Sequence, residues 1–232
     1  MKLGARKVAM EISIQFNVSD KLFLRDPLET ELGKRIVAHS IVMIERMGFE
    51  EFTFKKLATE ISSTEASVYR YFENKHALLV YLLNWYWAWL EYRIEFALNN
   101  ITVPKERLEK VLFEIAESDK EDLTVVHVDE PKLYNIVIRE SAKAFLTHKV
   151  DRENKDGFFR NYKSLCEKIG DVILEVNPKY KFSRTLASTL LESAHQQLFY
   201  SQHLPRLSDI GEGKKQSVTD WLLHLCDCTL NH

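Results

Sequence analysis

Helix-starting residues recur along almost the whole chain, each in front of apolar residues at helical spacing. The clearest is Asp26-Pro27-Leu28-Glu29, which combines an N-cap aspartate, a proline at the first helical position and a glutamate three residues after the cap. Only 7 of the 232 residues are glycine and 5 are proline, which argues against a turn-rich β fold. We therefore expect an all-α protein.

The caps and the apolar periods together set the approximate helix ranges. We predict helices over 27–47, 54–61, 65–71, 75–98, 104–117, 131–149, 157–176, 184–203 and 218–230. The segment 207–216 contains two glycines and two lysines and is the expected linker.

One segment departs from the helical pattern. Residues 12–18 alternate between apolar and polar side chains, which predicts a short, half-buried N-terminal β-strand. A lone strand needs a partner, and two are open: the β-branched run 123–128, or the same strand of a second subunit.

Composition excludes several broad classes. Hydrophobic residues make up 45% of the chain and charged residues 28%, as in ordinary globular proteins rather than disordered or collagen-like ones. No stretch reaches the roughly 18 apolar residues of a membrane span, and the N-terminal residues lack the apolar core of a signal peptide. Three cysteines do not suit a disulfide framework. We expect a cytoplasmic protein with no membrane partner.

Catalytic and metal-binding signatures are absent from the sequence. It contains no G-x-S-x-G, no glycine-rich phosphate loop and no H-E-x-x-H. Cys226 and Cys228 are two apart and point to different sides of a helix, and Glu192-x-x-His195 lacks the second copy that a carboxylate-bridged site needs. We predict no enzyme activity, no cofactor and no metal; an all-α enzyme is the least favoured alternative.

Residues 54–71 have the pattern of a helix-turn-helix, namely two short helices joined by a polar turn and braced by a longer first helix. Val68 and Phe72 are predicted to face inward, which leaves a slim outer side on the second helix. Arg70 on that side can reach a base edge or a phosphate. Hydroxyl and phenol groups nearby, and Lys75 at the start of the next helix, suit phosphate contacts.

The stretch from Gly33 to Leu79 resembles the TetR/AcrR family of bacterial transcriptional regulators. The match runs without a gap through "VYRYFENK", where Tyr69, Phe72 and Lys75 fit the family pattern, and "FTFKKLATEI" fits its second helix. The resemblance implies a TetR-like fold: an N-terminal extension (1–26), a three-helix DNA-binding domain (27–78) and a larger helical domain for ligand binding and dimerisation (79–232).

The resemblance implies a homodimeric regulator, and we expect a ligand-responsive repressor. Its expected partners are double-stranded operator DNA and an unknown small apolar or aromatic ligand. The last two helices would supply the dimer interface. The residues predicted at DNA are Thr53, Ser63, Thr64, Glu65, Ala66, Ser67, Tyr69, Arg70, Tyr71 and Lys75. The candidate pocket residues are Trp85, Trp89, Tyr92, Glu192, His195 and Gln196, and the candidate interface residues are Leu190, Leu198, Trp221 and Leu225.

Two departures from the family pattern motivate an alternative. Ser62 occupies the turn where the family usually has glycine, which carries a conformational cost, and Glu65 stands where a basic residue is common. Residues 28–80 contain seven basic and eight acidic side chains, a net charge of −1, so non-specific DNA affinity should be weak. The alternative is a TetR-fold protein that binds a small molecule or lipid and does not recognise DNA.

Overall fold

A computed structural model describes residues 16–118, 128–211 and 215–231. Within these ranges the chain is all-helical, without any strand, in agreement with the predicted class. The helices are α1 (Glu31–Glu51), α2 (Phe54–Glu60), α3 (Glu65–Tyr69), α4 (Lys75–Leu98), α5 (Pro104–Ala116), α6 (Glu130–Phe145), α7 (Val150–Lys155), α8 (Arg160–Val176), α9 (Ser183–His203) and α10 (Lys215–Leu230).

The centre of the molecule is α4. Residues 77–90 of this helix are all buried, because α4 carries apolar or aromatic side chains on every side and other helices cover it all round. Helices α5, α6 and α8 pack against it. One hydrophobic core runs from the N-terminal helices, through α4, to α9 and α10.

The first helix begins later than predicted. Asp26 does cap Leu28, whose N–H donates to its carboxylate at 2.8 Å, but this cap opens only a 3-10 turn over Pro27–Glu29. The α-helix starts at Glu31, and Thr30 is its N-cap: the Thr30 hydroxyl oxygen accepts the N–H of Gly33 at 3.0 Å. A Cβ at Gly33 would overlap the Pro27 carbonyl oxygen, so only glycine permits this close approach.

The end of α1 is anchored to the larger part of the molecule. Gly48 has φ of 78°, as expected for a helix-terminating glycine, and breaks the helix before its last turn. The N–H of Phe49 donates to the buried carboxylate of Glu140 in α6 at 3.0 Å. Lys143, also in α6, pairs with Glu140 at 2.7 Å and with Glu50 at 3.1 Å. Both the kink and the following turn are therefore held by α6.

Three other predicted elements differ from the structure. The predicted strand is not found: residues 16–18 have no regular structure, and 12–15 lie outside the described residues, as do 123–127 of its candidate partner. The predicted helix 131–149 ends at Phe145, and a separate short helix follows over Val150–Lys155. The helix expected from 157 begins at Arg160, because the residues before it belong to the turn at Gly157, whose φ is 84°. Of the expected linker, residues 212–214 lie outside the described ranges.

The turn between α2 and α3 is held by a residue other than glycine, as its sequence predicts. Ser62 has φ of 49°, in the left-handed region where a side chain is disfavoured. The N–H of Ser62 donates to Thr59 O at 3.1 Å, and that of Ser63 to Ala58 O at 2.8 Å, so the turn closes the C-terminal end of α2. The strain is local to one residue.

Ser62→Gly is expected to stabilise the protein by about 0.5–1 kcal/mol, since glycine removes the left-handed strain at a smaller cost in unfolded-state entropy. Chemical denaturation measures the change. Ser63→Gly is the matched control, because φ is not positive there, and it should lower the free energy of unfolding. Destabilisation by Ser62→Gly would contradict the strain argument.

Candidate nucleic-acid interface and ligand cleft

Helix α3 lies on the surface of the protein, and its inner side packs against the hydrophobic core. Thr64 caps it by accepting the N–H of Ser67 at 3.2 Å, and the two hydroxyls are hydrogen-bonded at 2.8 Å. Val68 and Phe72 are both fully buried and hold the helix to the core. Its outer side is exposed and slim, because it carries Glu65 and Ala66. This shape fits the width of a major groove.

Most of the residues predicted at DNA lie on this exposed side. Thr53 caps α2 by accepting the Lys56 N–H at 3.2 Å. Tyr69 is 46% exposed, and its ring packs edge-on against Phe54, with ring centroids 5.0 Å apart. The exposed or partly exposed members of the predicted set are Thr53, Ser63, Thr64, Glu65, Ala66, Ser67, Tyr69, Arg70 and Lys75.

Tyr71 lies elsewhere than predicted. Its side chain is only 3% exposed, and its hydroxyl is hydrogen-bonded to that of Thr30 at 2.7 Å. The backbone N–H of Leu24 also donates to the Tyr71 carbonyl at 2.7 Å. Tyr71 therefore joins the end of the helix-turn-helix to the segment that precedes α1, and its phenol is not available for a phosphate.

Lys75 is also engaged within the protein. Its ammonium donates to the carbonyl oxygens of Phe49 and Glu50, both at 3.0 Å, and of Phe52 at 3.3 Å. The ammonium also lies 4.7 Å from the ring centroid of Phe49. Since a lysine has three donors, this side chain closes the C-terminal end of α1 and has no donor left for DNA.

Few cations of the described helix-turn-helix and the turn before it remain available for DNA. Lys55 and Arg70 are exposed and make no ion pair with the described residues, whereas Lys56 bonds Glu51 at the end of α1. The structure adds Arg25, which the sequence did not single out: it is exposed and its guanidinium lies 5.6 Å from the Tyr71 ring centroid. In the sequence, the one feature that could have marked Arg25 as a DNA-contact candidate is its position just before the Asp26 cap.

The predicted pocket residues do not converge on one cavity. Trp85 and Trp89 are buried in α4, and Gln196 is exposed on α9. His195 is 3% exposed and packs among α4 and α6 aromatics, with its ring centroid 5.6 Å from that of Trp87. Glu192 accepts the Tyr162 hydroxyl at 2.8 Å, and burial raises the pKa of that phenol well above its usual range.

Tyr92, the remaining pocket candidate, lines a cleft of about 600 Å³ at the far end of α4. The cleft opens between α4, α5 and α8, and Phe96 lines it one turn after Tyr92. Charged side chains surround these two rings, among them Arg107, Lys168 and Asp171. The volume is in the usual range for small-molecule sites.

The predicted dimer interface needs correction. Leu190 and Leu198 are 0% and 3% exposed within a single chain, so neither has surface left to offer a partner. Their apolar stripe packs α9 onto its own subunit. Trp221 and Leu225 of α10 are half-buried and remain available.

Neither a metal-ion cluster nor a membrane-spanning helix is found among the described residues. In the part of the chain that the structure describes, no three His, Cys, Asp or Glu side chains form a group that suits a metal ion. None of the described helices combines the length and the apolar character that crossing a bilayer requires.

The fold and the anchored, exposed α3 define a helical protein with a helix-turn-helix. Residues 36–82 match the family model of the bacterial regulatory proteins of the tetR family. The match covers α1 from Ile36, the helix-turn-helix and the start of α4, and the likeness to this family is in that segment. No curated protein matches the sequence.

Solved structures show the same fold over most of the chain. A tetR-family regulatory protein from Rhodococcus RHA1 covers 87% of this chain and 97% of its own, at 12% identity and a TM-score of 0.62. AibR in complex with isovaleryl coenzyme A and operator DNA covers 83% and 97%, at 17% identity and a TM-score of 0.58. The fatty acid degradation regulator FadR from Bacillus halodurans covers 82% and 93%, at 15% identity and a TM-score of 0.58.

Lys75→Met should lower the free energy of unfolding by about 2 kcal/mol, because three backbone carbonyls lose a charged donor. Chemical denaturation measures the loss. Lys55→Met is the control: Lys55 is exposed and makes no ion pair with described residues, so its replacement should change stability by less than about 0.5 kcal/mol. Equal free energies of unfolding for the two variants would show that the Lys75 contacts do not stabilise the protein.

Stability should fall on acidification through His195. Burial lowers the pKa of His195 to about 4, against an ordinary value of 6.5. Below pH 6.5 His195 is therefore protonated in the unfolded chain, whereas in the folded protein it stays neutral down to about pH 4. The free energy of unfolding falls by up to about 2 kcal/mol by pH 5 as a result. His195→Gln should flatten the dependence of the unfolding free energy on pH between 6.5 and 5. His148→Gln, at an exposed position, should leave it unchanged.

Proposed function

We propose that this protein is a homodimeric, sequence-specific DNA-binding transcriptional regulator. The observation that carries the proposal is the geometry of α3, a slender exposed helix that Val68 and Phe72 anchor from behind. Its capped N-terminus and nearby hydroxyls suit the phosphate backbone, and Arg70 is the side chain best placed to reach a base edge. The similarity to AibR, whose solved complex contains operator DNA, supports this role.

A pair of subunits would present two copies of α3 to successive major grooves of a pseudo-palindromic operator. In this proposal α9 and α10 form the interface, and Trp221 and Leu225 supply apolar contacts. The regulator acts as a repressor whose operator affinity falls when a small ligand binds the larger domain. Similarity to AibR, which was solved with isovaleryl coenzyme A, and to a fatty acid degradation regulator supports ligand control. Its expected location is the cytoplasm.

Selection of randomised DNA duplexes by the purified protein tests the proposal. The enriched duplexes should share a two-fold related motif, and Arg70→Ala should weaken binding to them by at least about fivefold, the loss of one good base contact. Arg152→Ala, in α7 and 89% exposed, is the matched control and should bind normally. If neither wild type nor Arg70→Ala distinguishes an enriched duplex from a random one, the proposal is wrong.

Salt dependence is a second signature of the interface. Among the described residues of the helix-turn-helix and the turn before it, Arg25, Lys55 and Arg70 are exposed and make no ion pair, so a dimer that uses these cations alone releases about six counterions. The slope of log affinity against log salt should then be no steeper than about −5. A markedly steeper slope in electrophoretic titrations would show that other cations reach the duplex.

The alternative function is a TetR-fold protein that binds a small molecule or lipid without recognising DNA. The engagement of Lys75 with three carbonyls favours it, since the helix-turn-helix segment already has a net charge of −1. Native mass spectrometry separates the two functions. A co-purified apolar ligand, together with no DNA affinity at low salt, would replace the regulator proposal with this one.

A further inference from the structure

The cleft at the far end of α4 has an aromatic wall. Tyr92 and Phe96 lie one turn apart on α4, with ring planes within 29° of parallel and centroids 6.4 Å apart. Phe96 is 69% exposed, which is unusual for so large an apolar side chain. Tyr92 is held from its other side by Phe16, at 5.8 Å between centroids. The wall is therefore braced from within and open toward the cleft.

Both cations at the cleft are already paired. Arg107 donates through Nε to Glu175 at 2.6 Å and through Nη2 to the same carboxylate at 3.3 Å, and its Nη1 donates to Ile101 O at 3.0 Å. Lys168 pairs with Glu95 and lies 3.4 Å from Glu91. An anionic ligand would have to break one of these pairs before either cation could bind it.

One carboxylate at the cleft is not paired in this way. Asp171 of α8 is exposed and makes no ion pair with the residues that the structure describes. The charged lining consists of three carboxylates and two cations, so the cleft carries a net charge of −1. An aromatic wall beside an unpaired carboxylate attracts positive charge from two sides, since aromatic faces are electron-rich.

We propose that this cleft is a binding site for an organic cation with an aromatic or aliphatic body, which packs against Tyr92 and Phe96 and is neutralised by Asp171. The binding itself does not depend on DNA recognition; its role as the effector site rests on the proposed function. Helix α4 connects the two regions, since its 24 residues span about 36 Å from Lys75 to the cleft.

Calorimetric titration with two ions of the same shape and opposite charge tests the site. Tetraphenylphosphonium should bind the full-length protein, and tetraphenylborate should bind at least about tenfold more weakly, because its charge faces the Asp171 carboxylate. Absence of tetraphenylphosphonium binding, or equal binding of the two ions, would overturn the proposal.

Two substitutions locate the binding. Phe96→Ala should weaken tetraphenylphosphonium binding roughly fivefold, and Asp171→Asn roughly threefold to fivefold. Their matched controls are Phe182→Ala, at a phenylalanine 62% exposed outside the cleft, and Asp209→Asn, an exposed aspartate outside it. Both controls should bind as the wild type does. Equal losses in the variants and their controls would place the bound cation elsewhere and overturn the proposal.

A second titration separates this site from the proposed function. Tetraphenylphosphonium is added to the protein bound to a duplex obtained by selection, and release should follow occupancy of the cleft and be weakened by Phe96→Ala. If the protein binds tetraphenylphosphonium but has no DNA affinity, the proposed regulator function is wrong and the proposed binding site stands. Selective DNA binding without cation binding would remove the site and leave the regulator function intact.

Discussion

The burial of residues 77–90 of α4 on every side is the constraint on which the rest of the structure depends. A helix whose residues 77–90 are apolar on all sides is stable in water only when other helices cover its whole circumference. Helices α5, α6 and α8 supply that cover, and the start of α4 closes the helix-turn-helix through Lys75. The helix-turn-helix therefore lies at the first end of α4, and the cleft lies at its other end.

The sequence predicted those features that local chemistry determines. Thr53, Thr64 and Asn74 each accept the backbone N–H three residues later, so the starts of α2, α3 and α4 were readable from the chain alone. The inward packing of Val68 and Phe72 followed from helical spacing. The strained turn at Ser62 was expected from the family resemblance, because the family usually has glycine at that position. These are interactions within a few residues, which a single sequence contains in full.

What the sequence did not determine is the identity of distant partners. Helical spacing marks Leu190 and Leu198 as one apolar stripe, but it does not say whether that stripe faces its own subunit or another, and in the structure it faces its own core. For Lys75 and Tyr71 the sequence likewise did not show whether the side chain contacts DNA or the protein itself. Their partners, Phe49 and Thr30, lie 26 and 41 residues away along the chain. The cleft at Tyr92 and Phe96 requires α5 and α8 to be positioned before it exists.

The hydrogen bond from Phe49 to Glu140 joins the end of α1, next to the helix-turn-helix, to α6. Glu140 is buried, so separating the two regions would leave its carboxylate without its backbone donor and would expose apolar surface on α1 and α6 together. Because this hydrogen bond and the apolar contacts join the two regions, we expect them to unfold together. A fragment ending near residue 78 would lack the carboxylate that accepts the Phe49 N–H, and we expect heat to unfold the intact chain in one transition.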